Sequence, residues 1–170
     1  MLFESERLTY RNLNGDDKDF YCALYSDDEL MRFIEIDNAS SKVEGYFENT
    51  LKAINKSKPK YKLLVIEQKQ SSIPLGVMGI DNIDYSQSTA DIGIILTRHA
   101  QGKNIPYEAT KATLKYIFDT LNIQHVSTSF QIMNKPILRL VERIGFSRVQ
   151  KTDKSQNAPH LTYTISKQRL

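Results

Sequence analysis

Cysteine is nearly absent from the chain. Cys22 stands alone among 170 residues, so no internal disulfide can form. It lies on one side of an amphipathic helical pattern with no histidine near it in sequence, which predicts a buried, inert thiol rather than a nucleophile. Long apolar runs are missing too, and residues 1–11 alternate charge and side-chain size without the apolar centre of a secretion signal. The expectation is a cytoplasmic protein with no membrane partner. Basic runs are also lacking: 23 Lys and Arg against 20 Asp and Glu leave a formal charge of +3, and the cations are dispersed. Nucleic acid is therefore not the expected partner, whereas an anionic cofactor suits the balance. Repeats, linkers and low-complexity tracts are absent, and no metal site is assigned. What is present is 40% apolar and 25% charged, enough for a single domain over 1–170 with a real core.

Hydrophobic periodicity divides the chain into short elements. Residues 8–13 read as a strand, and Asn14 is placed to cap a helix running to Leu24, with Asp16 and Asp17 in its first turn. Residues 26–38 are looser. Ser41-Lys42-Val43-Glu44 has the form of a capping box. Val43, Tyr46, Phe47, Thr50, Leu51 and Ile54 then keep a helical period until the segment 56–59 ends it. Strands follow at 61–67, 75–80 and 89–96, separated by polar loops that suit antiparallel hairpins. Residues 147–151 and 160–166 read as a closing hairpin.

The most informative stretch is 91–121. Ile92, Ile94 and Leu96 alternate with Gly93 and Ile95, a pattern that predicts a strand with little water on either face. Residues 97–103 turn polar, and from Ile105 the apolar positions recur at helical spacing through Ala109, Ala112, Tyr116, Ile117 and Leu121. Strand, short basic loop and helix together make an anion site. The first turn of a helix leaves N–H groups unpaired and carries partial positive charge, and Gly102 and Lys103 sit where a phosphate approaches. A second unit follows: Val126, Thr128, Phe130 and Ile132 alternate as a strand, and Asn134 opens a helix that Gly145-Phe146 closes.

These two units resemble the GCN5-related N-acetyltransferases (GNAT). Residues 101–106, Gln-Gly-Lys-Asn-Ile-Pro, align with that family's acetyl-CoA loop, Gln/Arg-x-x-Gly-x-Gly/Ala, and Glu108-Ala109 follows. Asn104 stands where that pattern has glycine and Pro106 where it has glycine or alanine, which removes one backbone donor. Asparagine tolerates positive φ and proline fits a first helical turn, so the loop can keep its shape. The spacing from Asn134 to Gly145-Phe146 matches the family's Asn-x-x-Ser followed by Gly-Phe, with Ile137 replacing the serine. Glu6-Arg7-Leu8-Thr9-Tyr10-Arg11 resembles the start of the Rim-type branch, which acetylates ribosomal-protein N-termini.

The resemblance implies an α/β (α+β) fold: a mixed, mostly antiparallel twisted sheet of six to seven strands with about four helices. Its fourth and fifth strands, 89–96 and the one from His125, splay around acetyl-CoA. Ile94 and Leu96 are then backbone partners of the pantetheine arm, Gln101, Gly102, Lys103, Asn104 and Ile105 hold the pyrophosphate, and Asn134 faces the pantetheine. The same positions also read as plain core and a helix cap. Direct attack of a neutral amine on a thioester requires a proton acceptor, oxyanion stabilisation and a proton for the leaving thiolate. The carboxylates matching the family's base positions are Asp91 and Asp81, each of which also reads as a solvated hairpin residue. Val141 occupies the position of the family's tyrosine acid, so no acid is assigned; His99 is expected on the surface and Tyr163 in packing.

The implied acceptor site covers 25–38, 82–85 and 153–160. Asp27, Asp28, Glu29, Glu35 and Asp37 make its first segment acidic. That favours a cationic acceptor such as a peptide N-terminus, polyamine, aminoglycoside or amino sugar, although acidic loops are also ordinary solvated surface. Two functions follow, for a monomer or homodimer. The first is an acetyl-CoA-dependent N-acetyltransferase acting on a primary amine. The second is a non-catalytic, weakly CoA-binding interaction or sensing module, which Asn104, Pro106, Ile137 and Val141 favour.

Overall fold

The computed structural model describes residues 1–34, 36, 38–56, 58–149 and 159–170. Glu35, Asp37 and the segment 150–158, which includes much of the expected closing loop, lie outside them. Among the described residues eight strands form one sheet: β1 (Phe3–Glu4), β2 (Leu8–Asn12), β3 (Lys62–Gln68), β4 (Pro74–Asp84), β5 (Thr89–Leu96), β6 (His125–Gln131), β7 (Ser147–Val149) and β8 (His160–Ser166). Their spatial order is β1-β2-β3-β4-β5-β6-β8-β7. The described residues also form five α-helices: α1 (Lys18–Tyr25), α2 (Asp28–Met31), α3 (Ser40–Ile54), α4 (Ile105–Asp119) and α5 (Lys135–Ile144).

The sheet is buried on both faces, and β3 shows why. Leu63 and Val65 join a cluster with Leu13, Tyr21, Leu24, Val43 and Phe47, under α1 and α3. Leu64 and Ile66 point the other way, into the larger cluster with Leu114, Ile117 and Phe118 of α4 and Val141 and Ile144 of α5. Alternation with period 2 is what lets one strand serve both layers. Truncating such a residue to alanine costs about 2–5 kcal/mol.

The departures from expectation are local. The eighth strand, β1, is two residues long, too short to show a period, and is held by Phe3 stacking on Tyr10 and Tyr116 at 4.2 and 4.6 Å. The fifth helix, α2, is a single turn inside the segment expected to be loose. Its start is fixed by Asp27, whose carboxylate accepts from the N–H groups of Glu29 and Leu30 at 2.9 and 3.1 Å. Asn14 caps as expected, accepting from Asp16 N–H while the Asp17 carboxylate accepts from Asn14 N–H. The turn they close is a 3-10 turn leading into α1. Helix α3 begins at Ser40 with Ala39 at its N-cap, ahead of the capping box expected at Ser41. Strand β4 runs on to Asp84, past a register shift after Asp81.

Candidate active site

The site begins where two strands part. Thr89, Ala90 and Asp91 of β5 pair in parallel with His125, Val126 and Ser127 of β6, and the pairing stops there. Beyond Asp91 one edge of β5 has no neighbouring strand among the described residues, so its backbone donors and acceptors are available to a ligand. The strand expected to be dry on both faces is correspondingly half-open, with Gly93 exposed and Ile94 and Ile95 half-buried. On its other side β5 is held tightly to β4. A Cβ at Gly76 would stand 2.2 Å from the Ile95 carbonyl oxygen and 2.9 Å from Leu96 Cα, so only glycine permits this approach.

The gap opens into a cleft of about 480 Å³, lined by Ile94, Ile95 and Leu96 of β5, by Gln101, Gly102, Asn104, Pro106 and Tyr107, and by Asn134, Ile137, Arg139 and Arg143 around α5. Of the residues expected at the cofactor, Ile94, Leu96, Gln101, Gly102, Asn104 and Asn134 line it. Lys103 and Ile105 do not: Lys103 is exposed, and Ile105 packs against the core. Gln101 turns inward, donating from Nε2 to the Leu96 carbonyl at 3.2 Å. Asn134 sits at the N-cap of α5, its side chain accepting from Ile137 N–H at 3.4 Å. Gly145, at φ +105°, ends that helix, with Phe146 N–H returning to the Val141 carbonyl, the Schellman geometry that favours glycine.

The loop into α4 takes an uncommon path. Gly102, Lys103 and Asn104 all have positive φ, at 85°, 47° and 66°, a run that glycine and asparagine tolerate best. The N–H groups of these three residues have no acceptor among the described residues, an arrangement suited to an anion. Pro106 occupies the second helical position and its carbonyl accepts from Thr110 Oγ1, so proline costs the helix nothing there. The turn between β1 and β2 pins the loop from outside. Arg7 donates from Nη1 to the Lys103 carbonyl at 3.0 Å. Its Nε pairs with Glu108 Oε2 at 2.7 Å, and Glu108 Oε1 accepts from Ser5 Oγ and Arg7 N–H. These partners hold the Glu108 carboxyl below the usual range against its burial. Arg7 and Glu108 belong to the two short matches noted in the sequence, yet nothing local showed that they meet.

A second chamber of about 620 Å³ adjoins the first and shares Ile94, Ile95, Asn134 and Ile137 with it. Asp81, Tyr25, Tyr61, Phe130, Val141 and Phe146 line it. Asp81 and Asp91 are opposed across β4 and β5. Only Asp81 reaches the chamber; Asp91 accepts from Asn82 Nδ2 at 2.8 Å. Burial, and then the charge of Asp91, push the Asp81 carboxyl up to about 6. Burial likewise pushes the Tyr25 and Tyr61 phenols up, with the Asp81 charge adding to both. Tyr25 opens the stretch 25–38 that the resemblance assigns to the acceptor, whereas Tyr61, at the head of an apolar strand, reads as ordinary core and could not be identified from periodicity.

The acidic segment is less available than its composition suggests. Arg98 takes Asp27 with Nε and Nη2 at 3.0 and 2.8 Å and also pairs with Glu29, while Asp28 accepts from Asn38 Nδ2. Expected roles for Glu35, Asp37 and 153–158 lie outside the described residues. His99 is exposed. Tyr163 is buried, stacks on Phe130 and donates to Glu142 at 3.2 Å. Cys22 is half-buried rather than buried, and burial pushes its thiol pKa up. Among the described residues no group of three or more His, Cys, Asp or Glu is placed to hold a metal, and no helix is long and apolar enough to cross a membrane.

Comparison with known proteins places this geometry. An uncharacterized N-acetyltransferase, p20, of Bacillus licheniformis is 26% identical over 148 residues, covering 85% of this chain and 81% of its own. The spermidine N-acetyltransferase of Vibrio cholerae, solved in complex with CoA and spermine, superposes with a TM-score of 0.83 at 19% identity over 97% of this chain and 98% of its own. A GNAT-family acetyltransferase of Bacillus anthracis gives a TM-score of 0.80 at 21% identity, covering 96% of each chain. Residues 7–147 match the acetyltransferase (GNAT) domain family. That span runs from Arg7, which pins the loop, to the first residue of β7, and over it the chain belongs to the GNAT acetyltransferases, N-acetyltransferases whose acyl donor is acetyl-CoA.

Proposed function

We propose that the chain, as one N-acetyltransferase domain, moves an acetyl group from acetyl-CoA to a primary amine by direct attack in a ternary complex in the cytoplasm. The observation that carries this reading is the parting of β5 from β6 into a cleft that ends at the positive-φ loop. The pantetheine arm takes the free edge of β5 at Ile94 and Leu96, with Asn134 opposite. The pyrophosphate takes the backbone donors of the loop over residues 101–105. Acetyl-CoA supplies the thioester. Asp81, at about 6, lies far enough above an ordinary carboxyl to accept the proton of an amine in the second chamber near neutrality. Asp91 acts on it through its charge rather than by touching the acceptor.

The polyamine class is the first acceptor to test, because the Vibrio cholerae neighbour is a spermidine N-acetyltransferase. A peptide N-terminus is the second, through the Rim-type likeness of residues 6–11. The experiment is a CoA-release assay over polyamines, peptides, aminoglycosides and amino sugars, beside calorimetry with acetyl-CoA for the native chain and Gly102→Glu. Turnover on one class, together with loss of binding in the variant, is expected, since a carboxylate at Gly102 meets the phosphates. Binding without turnover on any amine would favour the sensing module, and unchanged binding by Gly102→Glu would place the cofactor elsewhere.

A further inference from the structure

Arg143 connects α5 to the loop across the cleft. Its Nη1 donates to Asn104 Oδ1 at 2.8 Å, and its guanidinium lies over the Tyr107 ring, 4.2 Å from the centroid. All three residues line the cleft, as does Arg139 one turn earlier on α5. A guanidinium carries five N–H donors in a planar fork and no acceptor. One donor is committed to Asn104, and stacking on Tyr107 fixes the plane that holds the rest.

The loop itself shows why such a cation is useful. Asn104 is the N-cap residue of α4, yet its side chain makes no cap hydrogen bond. Its acceptor is spent on Arg143, and with the Ile105 N–H donating to the Gly102 carbonyl, the Tyr107 N–H is the first-turn donor left for a ligand among the described residues. Pro106 has no N–H to offer, so this loop presents fewer backbone donors than the pattern it departs from. A fixed cation beside it supplies both charge and hydrogen bonds where a donor is missing.

We propose that Arg143 is a pyrophosphate ligand of the bound cofactor, positioned by Asn104 and Tyr107, an assignment that rests on the cofactor reading above. The test is calorimetry of the native chain, Arg143→Gln and Arg143→Lys with CoA, dephospho-CoA and pantetheine. Arg143→Gln should weaken CoA and dephospho-CoA alike by about 10- to 100-fold, the scale of hydrogen bonds to charged groups. Arg143→Lys, which keeps the charge but not the fork, should lose less. Pantetheine has no phosphate and should bind all three proteins equally. Arg143 is exposed, so ligand-free melting should not change; should Arg143→Gln misfold, Arg143→Lys carries the same comparison. Unchanged CoA affinity in both variants would overturn this assignment and leave the cofactor reading standing. A penalty equal for pantetheine would make Arg143 merely structural, and one absent with dephospho-CoA would move it to the 3′-phosphate; either overturns the proposal. Failure of the native chain to bind CoA would overturn the cofactor reading and this inference together.

Discussion

At the scale of the residue, Asp81, the proposed base, sets that proposed role against stability. Its folded value of about 6 stands above the ordinary carboxyl value near 4. The proton-binding preference of the folded chain therefore contributes stability below about pH 4, and that contribution is lost as pH rises through about 6. Above that pH the ionised, half-buried carboxylate costs on the order of 1–3 kcal/mol, from about 1.4 kcal/mol per pKa unit with allowance for its partial exposure. Asp81→Asn should accordingly raise the melting temperature at pH 8 by a few degrees and change little at pH 4. The same variant should lower kcat by about 10²- to 10⁴-fold and remove the acidic limb of the pH–rate profile. Melting curves and rate profiles across pH 4–9 check both halves; a variant that keeps full rate would remove Asp81 as the base. Val141 and Ile137 were legible as departures from the family pattern. The placement of Asp81 was not separable from that of Asp91, because two aspartates ten residues apart reveal nothing of which one a strand pair turns into a chamber.

At the scale of the element, the loop between β5 and α4 adapts to its own residues. Sequence comparison alone suggests that Asn104→Gly and Pro106→Ala should act together to restore a donor. The structure separates them. Pro106→Ala returns an N–H at the second helical position and should tighten acetyl-CoA by about 1 kcal/mol, less than tenfold. Asn104→Gly keeps the positive φ but releases Arg143, and should weaken binding despite restoring the glycine. Titration of the two single variants and the double distinguishes these cases, and tighter binding by Asn104→Gly would show that the Arg143 contact contributes nothing. The acidic segment shows the same limit. Its charge was legible, but its pairing with Arg98, some seventy residues away, was not, since exposed ion pairs form wherever the fold brings opposite charges together.

At the scale of the whole molecule, the cofactor would bridge the two halves of the sheet that part after Asp91. A ligand that binds only the folded chain stabilises it by RT ln(1 + [L]/Kd), about 2.7 kcal/mol at a hundredfold excess over Kd. For a chain of this size that is roughly 5–10 °C in melting temperature. A thermal-shift titration with acetyl-CoA should reach that range and grow logarithmically with concentration, whereas a shift that saturates below a degree would argue against a cofactor held along β5 and the loop together.

Much of this architecture was determined by the sequence itself. The apolar run between polar loops at 61–67, the alternation in 89–96, period 3.6 after Ile105 and Asn134, and the turn residues at Gly102 and Gly145 located the elements, because local pattern dictates which face of each can be buried. Strand β1 and helix α2 escaped that reading, each spanning about one period and so showing no repeat. Tertiary structure alone decided that β6 leaves β5 after three pairs, that Arg7 and Glu108 clamp the loop from opposite ends of the sequence, that Arg143 reaches Asn104, and that Asp81 faces the chamber. Each of these joins residues far apart in the chain. Such contacts depend on how the layers pack, and packing is a property of the assembled sheet and helices rather than of any window of sequence.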